Sequence, residues 1–309
     1  RVYISIVPTL GSITASAKQQ IVNDLKNDFT IASVTPIIID PEYIDIRMNV
    51  VFQYNAKNTT KTSETLISNV RDTILNFNTN NLSTFDGVFR HSQITRLIDD
   101  SDNSITSNIT TIKLSKDFVP TLNSPTKYTI PFNNALYNPH SGHDADSGGI
   151  LSSSGFFIDG NTNEMFLNDD GMGNVRMYYI VDGTTNTYQD NNAGTINYKT
   201  GEIILTSFNI TEVSNVDGAT STKIRLIVTP ESNDIIGVRN QVLEIDTANL
   251  IVNANVDTIA TGSASAGVGV TTTSTYSGAT TAASSSSTSS TSSTSSSSTS
   301  SSSSSSSGY

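Results

Sequence analysis

The chain has 309 residues, contains no cysteine and carries a formal net charge of −11 at pH 7. The lack of cysteine excludes disulfides, thiolate metal sites and cysteine catalysis. Residues 1–116 hold eleven basic and eleven acidic side chains, whereas residues 117–261 hold six basic and seventeen acidic ones. An acidic region of this kind repels phosphate backbones, and no run of 18 apolar residues is present. We therefore expect no nucleic-acid partner and no membrane partner.

The first hundred residues are organised around a long alternating segment, Tyr43 to Tyr54. Apolar and polar side chains alternate along it, which predicts a strand with one buried and one solvated face. Before it, Val2, Ile4 and Ile6 indicate a short strand, and the spacing of Ile21, Leu25 and Phe29 indicates a helix. Because the chain begins with Arg1, we expect it to be the C-terminal piece of a longer protein.

Helical and extended patterns continue to residue 116. Leu66, Val70, Ile74 and Phe77 form one face of a second long helix. Ser92 is the predicted N-cap of a third, short helix, and a strand follows at residues 108–114. This order of strands and helices predicts a ferredoxin-like split β-α-β module over residues 1–116, with both long helices on one face of an antiparallel sheet. His91 is interpreted as a surface or cap residue.

Helical periodicity disappears after residue 120. Short apolar runs alternate with Gly, Asn and Asp clusters, which is typical of an all-β, sandwich-like domain, here residues 117–235. Residues 194–205 read as a hairpin that turns at Gly201. Residues 236–261 are predicted to form an extended arm or edge strand, and residues 262–309 a disordered Ser/Thr-rich tail. The whole chain is therefore predicted to be α+β.

Two histidines and two aspartates lie within seven residues: His140, His143, Asp144 and Asp146. Imidazole and carboxylate groups suit a divalent transition metal, and His140, His143 and Asp146 could also serve a hydrolase. The segment lies among Gly and Ser residues with no rigid element to orient it, which favours a mobile polar loop.

Two acidic turns offer further candidates. Asp159, Asn161 and Asn163 match the opening of a calcium loop, but Glu164 stands where that loop needs glycine, so a hairpin turn is favoured. Asp169 and Asp170 could do acid–base work, but adjacent strand residues point in opposite directions. We therefore predict no catalytic, cofactor-binding or metal-binding residues, no small-molecule substrate and no enzymatic activity.

Several segments, in this order, resemble one family. They are VYISIVPTLG, SAKQQIVNDLK, PEYIDIRMNVVFQYN and DGVFRHSQITRLIDDSDNSITSN in the first part, and GFFIDGNTNEMFLNDDGMGNVRMYYI and GTINYKTGEIIL in the second. Together they look like the gene-six-type baseplate wedge proteins of T-even-type contractile-tailed bacteriophages. The first module also resembles the C-terminal part of the broader baseplate-J family. The Ser/Thr tail lies outside the likeness and looks more like the tails of cyanophage relatives.

The resemblance implies a structural subunit of the virion tail baseplate, assembled in the host cytoplasm. Such a subunit would pair with itself as a homodimer and contact other wedge proteins, forming a ring around the central hub that rearranges on sheath contraction. We expect apolar surface from the first module and from residues 237–256 to be buried between subunits. The alternative is an extracellular adhesin or tail-fibre-like module that uses the acidic β-domain for sugar or calcium.

Overall fold

The computed structural model describes residues 1–8, 13–28, 35–143, 148–238 and 240–259. The predicted Ser/Thr tail and two members of the histidine loop, Asp144 and Asp146, lie outside the described residues. The elements in chain order are β1 (Val2–Ser5), α1 (Ala15–Asp28), β2 (Pro36–Ile39), β3 (Glu42–Tyr54), α2 (Ser63–Asn81), β4 (Val88–Phe89), α3 (His91–Asp99), β5 (Ile105–Phe118), β6 (Thr126–Pro131), β7 (Ser152–Ser153), β8 (Phe156–Ile158), β9 (Met165–Asp169), β10 (Asn174–Val181), β11 (Thr185–Asn197), β12 (Glu202–Phe208), β13 (Ile210–Val213), β14 (Ile224–Val228), β15 (Ile235–Ile236), β16 (Gln241–Ile245) and β17 (Ile251–Val256).

The predicted central strand is β3. Its alternate side chains are fully or almost fully buried, so the period of two does mark an inner and an outer face. It pairs antiparallel with β5 from Asp45 opposite Ser115 to Tyr54 opposite Ile105. The buried inner-face residues of β3 are Ile44, Ile46, Met48, Val50 and Phe52.

The second predicted helix is α2, and its apolar face is buried as predicted. Leu66, Val70, Ile74 and Phe77 are its buried residues. The Thr62 hydroxyl accepts a hydrogen bond from the Thr65 backbone N–H at 3.3 Å, which satisfies one of the free donors at the helix start. The helix contacts β16, β17 and α3, so it covers the inner face of the sheet beside β3.

The ferredoxin-like arrangement of residues 1–116 is not confirmed. Strands β1 and β2 form a parallel two-stranded sheet of their own, and α1 contacts β2. No side chain described in α1 is fully buried, because its apolar face carries only Ile21, Val22 and Leu25. The described chain is mostly β with three helices, all before residue 100, which is consistent with the coarser α+β class.

The predicted cap at Ser92 is wrong. Helix α3 begins at His91, one residue earlier, and its N-cap is Arg90, which makes no side-chain cap hydrogen bond. The carboxylate of Asp234 accepts the His91 backbone N–H at 3.0 Å and pairs with the Arg90 guanidinium at 2.8 Å. A residue more than 140 positions away therefore caps this helix, which no local pattern could indicate.

Most described strands join one sheet of thirteen strands. Its path runs β16, β3, β5, β14, β7, β9, β10, β11, β12, β6, with β17 beside β3, and with β8 between β9 and β13. The predicted hairpin at residues 194–205 is confirmed, since β11 pairs with β12 and Gly201 has a φ of 69°. The strands of the second part form a continuous path with those of the first, so two separate facing sheets are not seen in the described residues.

Strand β5 runs across the predicted boundary at residue 116. Its first part pairs with β3, and its last five residues, Leu114–Phe118, pair antiparallel with β14. The division into residues 1–116 and 117–235 stays a prediction, and the structure adds that one strand is shared by both parts.

The C-terminal segment is part of the sheet. Strands β16 and β17 lie one after the other along β3 and pair parallel with it, which agrees with the edge-strand interpretation. Val242, Leu243 and Leu250 are buried inside the chain. These three side chains are therefore covered within the chain, whereas Ile251 and Val256 of β17 are exposed, so the burial of apolar surface between subunits stays a prediction.

We predict that Leu243→Ala lowers the free energy of unfolding by about 2–5 kcal/mol, since it deletes a fully buried side chain. The matched control is Ile251→Ala, which removes an exposed side chain from the neighbouring strand and should change stability by no more than about 0.5 kcal/mol. Urea denaturation of both variants at low protein concentration measures the difference. Equal small effects would mean that residues 241–256 form a loose arm.

Candidate assembly surface and polar clusters

The outward-facing residues of β17, and of β3 and β5 beside it, are exposed and uncharged as far as the row of Arg47 and Lys113. Asn253, Val51 and Ile109 lie side by side across the three strands, and Ile251, Asn49 and Thr111 form the adjacent row. Ile109 is 67% exposed and Ile251 is 51% exposed. In a chain of net charge −11 this outer face has the depletion of charge and the exposed aliphatic groups that characterise the centre of protein interfaces. We define the outer face as Asn49, Val51, Gln53, Ser107, Ile109, Thr111, Ile251, Asn253 and Asn255.

Strand β17 also has a free edge. The Asp257 backbone N–H donates to the Tyr54 carbonyl at 2.8 Å, so by alternation the N–H and C=O groups of Val252, Ala254 and Val256 point away from β3. No described strand pairs with that side of β17. The strand contains neither proline nor lysine, which are common devices against edge-to-edge pairing.

A groove separates the β1–β2 unit from the main sheet. Its volume is about 1300 Å³, and Tyr43, Phe85 and Pro8 contribute to its walls. Carboxylates outnumber ammonium groups along it, and Lys116 is already bound to Glu42 at 2.7 Å. The lining therefore combines apolar rings with a local excess of negative charge.

An ion-pair network near the start of β3 joins segments that are distant in the sequence. Arg225 on β14 donates to both oxygens of Asp117 on β5, at 2.6 and 2.9 Å, and to Asp217 at 2.5 Å. Hydrogen bonding to Asp117 is the main cause that raises the pKa of the Arg225 guanidinium. The bidentate geometry makes this pair directional as well as charged.

The same network reaches the connection between β16 and β17. Arg47 on β3 pairs with Asp217 at 3.0 Å and with Asp246 at 3.3 Å. The Asn249 amide donates to both of these carboxylates, at 2.9 and 2.8 Å. Arg47 and Arg225 thus hold the 214–223 loop and the connection between β16 and β17 against the sheet.

Asp45 lies beside this network without enough positive charge to balance it. Burial, and secondarily the nearby Asp117 carboxylate, raise the pKa of Asp45 to about 7. Its charged form is therefore disfavoured in the folded chain near neutral pH.

The structure brings the two predicted histidines together. His140 Nε2 and His143 Nδ1 are 3.2 Å apart, and the rings are nearly perpendicular. In the described part of the chain, no group of three or more His, Asp or Glu side chains is placed to hold a metal ion. Asp144 and Asp146 are not among those residues.

The Asp159–Asn163 segment is the turn between β8 and β9, which pair antiparallel through Phe156 and Met165. The Asn161 side-chain oxygen accepts the Asn163 backbone N–H at 2.9 Å, and its amide donates to Gln189 at 3.1 Å. These hydrogen bonds account for the polar pattern as turn chemistry. The hairpin interpretation agrees with this geometry.

Asp169 and Asp170 point to different surroundings, as adjacent strand residues should. Asp169 is buried and accepts hydrogen bonds from the Ile150 and Leu151 backbone N–H groups, at 2.7 and 2.8 Å, and from the Tyr198 hydroxyl at 2.6 Å. Burial, followed by this bond to Asp169, raises the pKa of Tyr198. The carboxylate therefore links the loop before β7 to the β11–β12 hairpin.

Asp170 shapes the next turn. Its side chain accepts the Met172 and Asn174 backbone N–H groups, at 2.8 and 3.0 Å. Both carboxylates are thus occupied by structural hydrogen bonds, as the turn interpretation predicts.

The sequence reasoning missed Tyr198, Arg225 and Asp45, because their partners lie on other strands and no local spacing signals them.

Within the described ranges, no helix is long and apolar enough to cross a membrane.

We predict that Asp45→Asn changes the pH dependence of stability. The pKa is about 3.9 in the unfolded chain, so between about pH 4 and 7 only the folded chain holds this proton, and stability falls as pH rises. The amide avoids that loss, so the variant should be more stable by on the order of 2–4 kcal/mol at pH 8 and equal at pH 4.

Chemical denaturation at pH 4, 6 and 8 measures this difference. Asp72→Asn, on the exposed side of α2, is the matched control and should follow the parent chain at every pH. A constant offset between Asp45→Asn and the parent would contradict the assignment.

We predict that Asp169→Asn lowers the free energy of unfolding by about 1–3 kcal/mol, because the new amide group faces donors that the carboxylate accepted. Asp159→Asn, at an exposed turn, should have an effect within about 0.5 kcal/mol. Thermal and urea denaturation compare the two. A neutral Asp169→Asn would show that this carboxylate does not join the two segments.

Comparison with known proteins bears on the segment that contains β3 and β5. Residues 42–117 match the family described as baseplate structural protein gp6, C-terminal domain III. The baseplate wedge protein gp6 of Enterobacteria phage T4 is 24% identical over 134 residues, which is 43% of this chain and 20% of that protein. The chain thus matches about a fifth of the length of this curated relative.

The matched residues span β3, α2, β4, α3 and nearly all of β5, and so contain much of the outer face. They also contain two of the segments on which the sequence resemblance rests, PEYIDIRMNVVFQYN and DGVFRHSQITRLIDDSDNSITSN. Over residues 42–117 the chain is thus similar to the gp6-type phage baseplate wedge proteins, which supports the resemblance drawn from the sequence.

Proposed function

We propose that the chain is a structural subunit of a tail baseplate wedge that associates with a second copy of itself and with other wedge proteins. The observation that carries this proposal is the uncharged outer face, together with the free edge of β17, in and beside the segment that defines the family. The structural role of the family also supports a chain that is not an enzyme. In the assembled tail such subunits would form the ring around the hub that rearranges on sheath contraction.

Self-association would use the free edge of β17. Two copies related by a twofold axis would place Ala254 opposite its own equivalent in an antiparallel pair, with Val252 opposite Val256. The outward N–H and C=O groups of these three residues would then be satisfied across the axis. The two sheets would join into one, and each outer face would continue into that of the partner.

The edge alone is too small for a permanent complex. A stable obligate interface buries on the order of 2,000 Å² or more. The six residues of β17 cannot bury that much surface by themselves. The exposed Ile251 and Ile109 side chains supply apolar area next to the edge. We therefore propose that the outer face is covered in the same contact or by a neighbouring wedge protein.

The groove beside β1 is the proposed contact for another wedge protein. Tyr43 and Phe85 supply apolar surface, and the excess of carboxylates along the groove favours a basic, extended segment of the partner. Such a contact would leave the edge of β17 free for self-association.

A charge exchange on β17 tests the self-association. In the proposed register Asn253 lies directly opposite Asn255 of the partner copy, in the closely spaced, non-hydrogen-bonded positions. The double substitution Asn253→Asp and Asn255→Asp would put like charges opposite each other twice and should weaken the dimer by about tenfold or more. Sedimentation equilibrium over a range of protein concentrations measures the dimer dissociation constant.

The matched control carries Asn253→Lys with Asn255→Asp, which places opposite charges across the same axis and should keep the dimer. Both variants change only exposed side chains, so both should fold. Equal effects of the two variants, or a parent chain that stays monomeric at high concentration, would contradict pairing through this edge.

A further inference from the structure

His140 and His143 lie in a loop that is fixed to the turn between β9 and β10. The Gly142 backbone N–H and the Asn138 side-chain amide both donate to the Gly171 carbonyl, at 2.8 and 3.2 Å. Gly171 has a φ of 70°, and a side chain there would meet the His143 carbonyl oxygen at 2.5 Å. The loop from Asn138 to His143 therefore packs closely on Gly171, a position where only glycine fits.

The two imidazole rings bring one nitrogen of each histidine close together. His140 Nε2 and His143 Nδ1 are separated by 3.2 Å, with the rings inclined at 82°. In a tetrahedral site with metal–nitrogen bonds of about 2.0–2.1 Å, two ligand nitrogens are about 3.3 Å apart. The observed spacing is thus already that of a chelating pair, with no movement of the backbone required.

The hydrogen bonds around His140 favour the tautomer that a metal needs. His140 Nδ1 lies 3.3 Å from the Ser141 carbonyl, so a proton on Nδ1 is directed to that oxygen and Nε2 keeps its lone pair. Without a metal, His143 Nδ1–H donates to that lone pair. On binding, a metal ion takes the place of this proton on Nδ1, and the neutral imidazole then carries its proton on Nε2.

We propose that His140 Nε2 and His143 Nδ1 form a binding site for one divalent transition-metal ion of the copper, nickel and zinc class. Neutral imidazole suits these ions, and Cu²⁺ should bind most tightly among them. The acidic character of residues 117–261 attracts cations to this part of the chain. Water completes the coordination.

The sequence pattern favoured a mobile polar loop here, because no rigid element could be recognised around it. The contacts to Gly171 come from a turn about 30 residues further along the chain and supply that support. The edge of the Tyr137 ring also meets His143, with 5.3 Å between the ring centres, which restricts the orientation of that imidazole.

Titration of the full chain, prepared without a histidine tag, with Cu²⁺ tests the proposal. Calorimetry should give one ion per chain, and electron paramagnetic resonance should show coupling to ligand nitrogens. His140→Ala and His143→Ala should each weaken binding by more than about tenfold, since loss of a supporting partner alone costs about that much.

The third histidine provides the control. His91 lies on α3 with its Nε2 at 2.9 Å from the Thr110 carbonyl, so His91→Ala should leave Cu²⁺ binding unchanged. Circular dichroism of each variant, and the parallel variant His140→Gln, separate loss of a ligand from loss of folding. Absence of saturable binding in the parent chain, or equal binding by the parent and both loop variants, would overturn the proposal.

Discussion

The fold depends on the pairing of β3 along both of its edges. One edge is bound antiparallel to β5, and the other is bound parallel to β16 and then to β17. With both edges satisfied, the inner face of β3 can pack fully against α2, and its buried side chains include Ile44, Val50 and Phe52. The outer face is left uncovered by the described chain, and it is this asymmetry that makes it a candidate for contact with other proteins.

Local patterns in the sequence predicted the elements whose causes are local. The alternation of Tyr43–Tyr54 defines β3, the spacing of Leu66, Val70, Ile74 and Phe77 defines the buried face of α2, and Gly201 marks the hairpin turn. In each of these cases the side chains that decide the structure lie within a few turns or strand positions of one another.

The incorrect or missing predictions concern contacts between distant residues. The parallel pairing of β16 with β3 joins positions about 200 residues apart, and the Asp234 cap of α3 comes from far along the chain. The separation of β1 and β2 from the main sheet likewise goes with the pairing of both edges of β3 by β5, β16 and β17, which periodicity does not encode. Of the polar sites, the turns were predictable from Asn, Asp and Gly, whereas the Arg225 network and the His140–His143 spacing were not.

The parallel direction of β16 and β17 has a mechanical consequence. A force applied to the chain beyond Val256 acts along strands that are hydrogen-bonded side by side with β3, and the bonds of this ladder resist it together. Strands loaded along their length are sheared, so that their hydrogen bonds must break together. Strands pulled apart from one end lose their hydrogen bonds one after another. Strand β17 is therefore placed to transmit tension into the centre of the sheet.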